Sequence, residues 1–211
     1  MTRVPRQTWT PTPIQPRTDA RAACALLLAA GILACGVEPT EPQPIPPDAK
    51  LEVRAGNFEQ STGSLRLLAA GDSVSLVSAP QGGHVLHASA RVTGLRTARA
   101  ELRARLRDPD THAIHAEEAR TALFELVGDE QWEPRAGSVT DVAHIPVCPD
   151  YDARDVVGES WLLEVIVTEL PHRTGAGSAE VLVAPSCVGA DALALCECEC
   201  LANYVLGKCG P

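Results

Sequence analysis

Aromatic side chains are scarce: seven occur in 211 residues, at Trp9, Phe58, Phe124, Trp132, Tyr151, Trp161 and Tyr204. Binding hot spots draw on Trp, Tyr and Arg, so a broad aromatic recognition surface is excluded. Methionine occurs once, at Met1, and no internal methionine offers a shorter start. A membrane-crossing helix needs about 20 consecutive apolar residues, and no run of that length is present. Catalytic signatures are missing too. There is no Gly-x-Ser-x-Gly elbow, no phosphate-cradling glycine loop and no His-Glu-x-x-His run. Ser160 follows Gly158-Glu159 but begins a strand and has no partner in the sequence. The expectation is a protein without catalytic activity and without a cofactor.

What is present is a greasy run that ends at a cysteine. Ala22 to Ala34 is apolar, Ile32-Leu33-Ala34-Cys35 closes it, and Gly36 begins a proline-rich stretch. Arg3, Arg6, Arg17 and Arg21 precede the run, with Asp19 as the lone acid. Thirteen residues suit the apolar region of a secretory signal, which runs roughly 7–15. The Thr- and Pro-rich segment Thr8 to Pro16 lengthens the basic region beyond the usual.

These parts together resemble a bacterial lipoprotein precursor over the first 48 residues. The resemblance implies a signal peptide at 1–34, removed by cleavage before Cys35. It also implies diacylglyceryl transfer to the Cys35 sulfur and acylation of the new amine, as with palmitate. Gly36 in place of Asp after the cysteine implies outer-membrane sorting. Several acyl chains anchor a protein stably without any further helix.

Loss of residues 1–34 leaves 14 basic against 26 acidic side chains, a formal −12. Such a surface argues against nucleic acid, which demands a basic footprint, and disfavours docking on anionic lipid. Residues 35–49 read as the lipidated cysteine and a tether. Pro39, Pro42, Pro44, Pro46 and Pro47 favour extended polyproline geometry there. Residues 50–186 are long enough for one domain with a real core.

Within that domain the apolar period is two. Leu86, Ala88, Ala90 and Val92 alternate with polar residues, and Ala98, Ala100, Leu102, Ala104 and Leu106 alternate with Arg99, Glu101, Arg103, Arg105 and Arg107. Ala, Leu and Arg favour helix, but period outranks propensity, and a strand is expected. Trp161 to Thr168 is apolar on both faces, as in a central strand, and Ala179 to Val183 gives a last strand. Shorter strands are expected at Leu51 to Arg54, Leu65 to Ala69, Ser73 to Ser78, Thr121 to Val127 and Val139 to Val147. Turn residues separate them: Gly71-Asp72, Gln81-Gly82-Gly83, Asp108-Pro109-Asp110 and Pro149-Asp150. Eight or nine short strands predict an all-β fold, an immunoglobulin-like antiparallel β-sandwich, with a closed barrel as the alternative.

The stretch GDSVSLVSAPQGGHVLHASARVTGL through GESWLLEVIVTE resembles a group of uncharacterised secreted bacterial lipoproteins. In these a Gly-Asp-x-Val-x-Leu strand leads into a Pro-Gln-Gly-Gly turn and a late strand ends in Val-Thr-Asp. Glu169 stands here where that Asp falls, and Cys148 with its acidic turn is inserted. The resemblance covers about Gly71 to Val183 and implies an immunoglobulin-like fold with no assigned activity.

Cys24 leaves with the signal and Cys35 is taken by lipid. Six cysteines remain: Cys148, Cys187, Cys196, Cys198, Cys200 and Cys209. An even number in an exported chain predicts three disulfides, with fifteen possible connectivities. Five of the six lie in residues 187–211, a cysteine-rich appendage that Cys148 would staple to the sandwich. If Cys196-Glu197-Cys198-Glu199-Cys200 were extended, its three sulfurs would share one face. Three thiolates suit a soft metal, so a thiol-based metal-binding or redox role for Cys196, Cys198 and Cys200 is the alternative to a structural one.

The acidic run Asp150 to Asp155 invites calcium but lacks the glycine and closing glutamate of an EF-hand loop. A solvated turn is expected there. His84 and His87, like His112 and His115, are three apart and fall on opposite faces of a strand. They read as surface histidines. Trp132, in the polar stretch Asp129 to Arg135, reads either as an exposed anchor or as a cap on one end of the sandwich.

Overall fold

The computed structural model describes residues 50–171, 175–188 and 193–209. Residues 1–49, on which the expected signal peptide, the lipidated Cys35 and the expected tether fall, lie outside the described residues. Among the described residues there are ten strands: β1 Glu52–Glu59, β2 Ser64–Leu67, β3 Asp72–Ser78, β4 His84–Thr93 and β5 Arg99–Arg107. They continue as β6 Ile114–Gly128, β7 Gln131–Pro134, β8 Ala143–Cys148, β9 Trp161–Glu169 and β10 Ala176–Cys187. A 3-10 turn covers Val139–Asp141, and one short helix, α1, covers Leu193–Glu199. The all-β expectation holds. Among the described residues no helix is long and apolar enough to cross a membrane.

The strands run β2-β1-β4-β3-β10-β9-β5-β6-β7, and β7 returns to β4 through Val92 opposite Trp132 and Thr93 opposite Gln131. Seven strands, β4-β3-β10-β9-β5-β6-β7, therefore close into a ring. Every pairing is antiparallel except β3 with β10, which are parallel. The barrel alternative describes this pairing.

One strand organises the ring. β4 pairs with β3 and β8 over its first half and with β1 and β7 over its second. Ala88 faces Asn57 of β1 and Ala143 of β8 at once. Those two partners must then lie on opposite edges, so β3 and β1 share one edge of β4 while β8 and β7 share the other. β8 occupies the seam between β4 and β6 that short β7 leaves open.

Burial follows the period read from the sequence. Ala100, Leu102, Ala104 and Leu106 of β5 and Leu163, Val165 and Val167 of β9 are fully enclosed with Trp161. Each enclosed leucine contributes on the order of 2–3 kcal/mol relative to an exposed one. The other face of β5 is a ladder of arginines. Arg103 and Arg105 both meet Glu117, Arg105 and Arg107 both meet Glu164, and Arg107 reaches Glu180. Arginine stems thus cover the outer face of β9, which is half-buried rather than fully enclosed.

Several local expectations change. The strand expected over Val139 to Val147 divides, because the buried Asp141 carboxylate gathers the Ser138 hydroxyl, the Arg135 guanidinium and the Leu123 N–H. β6 begins at Ile114, seven residues before the expected Thr121. β7 was hidden in a polar stretch, its turn made by Glu130 in the left-handed region at φ 59°. Trp132 on β7 is half-buried against the core, nearer a cap than an exposed anchor. β4 is buried on both faces, so His84, His87 and Ser89 are interior, not surface, residues. Gly83 is needed at its turn: at φ 75° an added Cβ would overlap the Cys148 carbonyl oxygen.

Candidate functional site

All six cysteines of residues 148–209 pair: Cys148 with Cys200, Cys187 with Cys196 and Cys198 with Cys209. The segment that would be extended in a thiolate site is helical instead. Cys196 and Cys200 are four apart, face the domain and are buried, whereas Cys198 turns away toward Cys209. The three sulfurs lie in three different disulfides, so they form no thiolate set. His84 also lies beside Cys196 and Cys200, but disulfide sulfurs are poor ligands because the thiolate is the binding form.

The appendage is laced to the β8–β9 loop by backbone. Asp150 N–H donates to Glu199 O at 2.8 Å, Tyr204 N–H to Asp150 O at 2.8 Å, Asn203 N–H to Asp152 O at 2.7 Å and Val156 N–H to Cys200 O at 3.0 Å. Ala202 N–H reaches the Asp155 carboxylate at 2.7 Å. His84, inside β4, meets Glu199 of α1 with Nδ1 and Oε2 3.0 Å apart. A buried strand histidine is thereby the anchor for the helix end.

The loop held this way brings together groups that the sequence keeps apart. His115 stands near the start of β6, its ring 4.7 Å from the Trp161 ring. Arg154 covers Trp161 at 5.0 Å and pairs with Asp108 at 2.5 Å. His115 Nδ1 is 2.7 Å from Asp152 Oδ2, and its Nε2 is 3.4 Å from the Val147 carbonyl oxygen. Asp150 is 1% exposed; its Oδ1 accepts the Asp152 N–H at 2.9 Å, and its Oδ2 is buried with no hydrogen-bond partner among the described residues. Burial pushes the Asp150 carboxyl pKa up. The solvated turn expected here therefore fails for Asp150, whose side chain points inward while Asp152 stays exposed. A cleft of about 230 Å³ opens beside the group, lined by His115, Asp152, Arg154, Trp161 and Asp108.

Asp108-Pro109-Asp110 is the turn its residues predict. The Asp108 carboxylate accepts from the Thr111 N–H, from Arg154, and from the Asp110 N–H, which hold it well below the usual carboxylate range. His112 is in that turn, at φ 59°, in the left-handed region.

A second histidine pair lies on β4 and β8. The rings of His87 and His144 are 4.5 Å apart, His144 Nε2 is 2.7 Å from the Val139 carbonyl, and His87 Nδ1 is buried without a hydrogen-bond partner among the described residues. Burial first, then the nearby His144 and Arg120 charges, lower the His87 pKa to about 4. Neither His115 with Asp150 nor His87 with His144 is visible as a motif, since the partners stand 35 and 57 residues apart in the chain.

Comparison with protein-family models, with curated proteins and with solved structures finds no match in any of the three.

Proposed function

We propose that the chain is an exported envelope lipoprotein, anchored through lipid on Cys35, that displays a cross-linked β domain for a structural or binding role without catalysis. The observation that carries this reading is the complete pairing of Cys148, Cys187, Cys196, Cys198, Cys200 and Cys209. Disulfides persist in oxidising compartments and are rare in the cytosol, which fits the signal-like segment ahead of Cys35. Location at the outer membrane rests on Gly36. The partner is a membrane through the lipid, with any protein or cell-surface ligand docking on the domain, and the formal −12 speaks against nucleic acid.

The immunoglobulin-like sandwich belongs to the same proposal, as a flattened form of the ring. Its support is the thin closure between β4 and β7, two residue pairs long, together with the resemblance over Gly71 to Val183. The thiol-based alternative at Cys196, Cys198 and Cys200 would need free sulfurs.

Substitution Cys35→Ser tests the anchor. In the producing bacterium, wild-type protein should incorporate labelled palmitate and sediment with membranes. The variant should do neither while keeping its disulfides. A variant that still takes up label would contradict the proposal.

A further inference from the structure

We infer that His115, Asp150 and Asp152 form a binding site for a divalent transition-metal ion, with Zn²⁺ as the natural occupant. One ligand atom from each residue lies within 4.8 Å of the other two. That is a span a single ion can bridge at Zn–N and Zn–O distances of about 2.0–2.2 Å after small side-chain adjustments. An acidic cluster alone would not carry this inference. The independent observation is Asp150, 1% exposed, with an Oδ2 that is enclosed and has no hydrogen-bond partner among the described residues. A buried carboxylate oxygen left without a donor is costly, and a cation beside it removes that cost.

The arrangement around His115 fits a ligand. Asp152 Oδ2 lies 2.7 Å from Nδ1 and the Val147 carbonyl lies 3.4 Å from Nε2. Carboxylate and ring nitrogen can face each other this closely only with a proton between them, and a metal ion can take that proton's place. A hydrogen on Nε2 would then point at Val147. Metal-ligating histidines characteristically donate their other N–H to such a carbonyl, which fixes the tautomer and orients the ring. Trp161 packs against the same ring.

One imidazole and two carboxylates select the metal class. Calcium takes six to eight oxygens, whereas a mixed nitrogen and oxygen set of three suits Zn²⁺ and its neighbours, with a fourth position left for water. The adjoining cleft provides that access. Arg154 is the positive group close by, and it is engaged by Asp108, Asp110 and Glu159.

The test is titration of the full chain, disulfides intact, with ZnCl₂ followed by calorimetry. Wild-type protein should bind one Zn²⁺ per chain. His115→Gln and Asp150→Asn should each weaken binding by more than the roughly 10–100-fold that loss of a mere supporting partner costs. His87→Gln, outside the cluster, should bind as wild type. Asn at 150 keeps the acceptor for the Asp152 N–H and removes a buried charge, so the metal-free unfolding midpoint of Asp150→Asn should not fall. Lost binding with a retained midpoint therefore identifies a ligand rather than a folding defect. Absence of Zn²⁺ binding in wild type, or binding unchanged in both variants, would overturn the inference. Equal or tighter binding of Ca²⁺ would overturn its metal class.

Discussion

The ring of strands and the C-terminal segment are held by different forces. The ring encloses Leu86, Leu102, Leu106 and Leu163 completely. The segment leaves Leu195, Leu201 and Val205 exposed, with Leu206 at 80%. Apolar burial can hold the ring; it cannot hold residues 193–209, whose order comes from three cross-links and backbone bonds to the β8–β9 loop. The contrast teaches that a region too small for a core gains order by being tied to one. It also places the His115–Asp150–Asp152 cluster at the junction, dependent on both.

Crossed substitutions break the comparison most strongly. Cys148 and Cys200 close a 52-residue separation, which in the chain-entropy picture corresponds to about 4 kcal/mol. The 9- and 11-residue separations of the other two correspond to about 3 kcal/mol each. Cys148→Ala with Cys200→Ala should therefore destabilise by about 4 kcal/mol in denaturant titration. Hydrogen exchange in that variant should rise first in residues 193–209. Leu102→Ala should cost about 3 kcal/mol through its cavity and raise exchange across β5, β6 and β9 instead. Matching exchange patterns in the two variants would show that the regions are not separable.

A smaller effect sharpens the barrel side. His87 has a folded pKa of about 4, below the unfolded value of about 6.5. As pH falls the unfolded chain takes up the proton first. The stability due to neutral His87 is thus fully present above pH 6.5 and is lost progressively toward pH 4. The gap corresponds to roughly 3 kcal/mol at most. His87→Gln should flatten the stability profile in that window, measured by denaturant midpoints at each pH. An unchanged slope would assign the acid sensitivity to other groups, such as the disulfide-bound segment.

The sequence shows the strands of the ring, though not their closure, better than it shows the junction, for physical reasons. Ala100, Leu102, Ala104 and Leu106 face one neighbourhood, so a period of two is printed in the chain. β7 is only four residues, set by a turn and two neighbours, and prints no period. His87 and Ser89 occupy the polar phase of β4, yet β4 is covered on both faces, so alternation misplaces them. Cysteine number predicts cross-linking because compartment and parity govern it. Pairing depends on α1, where Cys196 and Cys200 share a face only if the segment is helical. The metal cluster joins β6 to the loop after β8, a closure that no local pattern records.

The most direct measurement of the central claim, an oxidised cross-linked domain outside the cytoplasm, is intact mass of the membrane-extracted protein after alkylation, with and without prior reduction. The account predicts no alkyl group before reduction and six after it, at Cys148, Cys187, Cys196, Cys198, Cys200 and Cys209. Alkylation at Cys196, Cys198 or Cys200 without reduction would contradict it and return the thiol-based alternative.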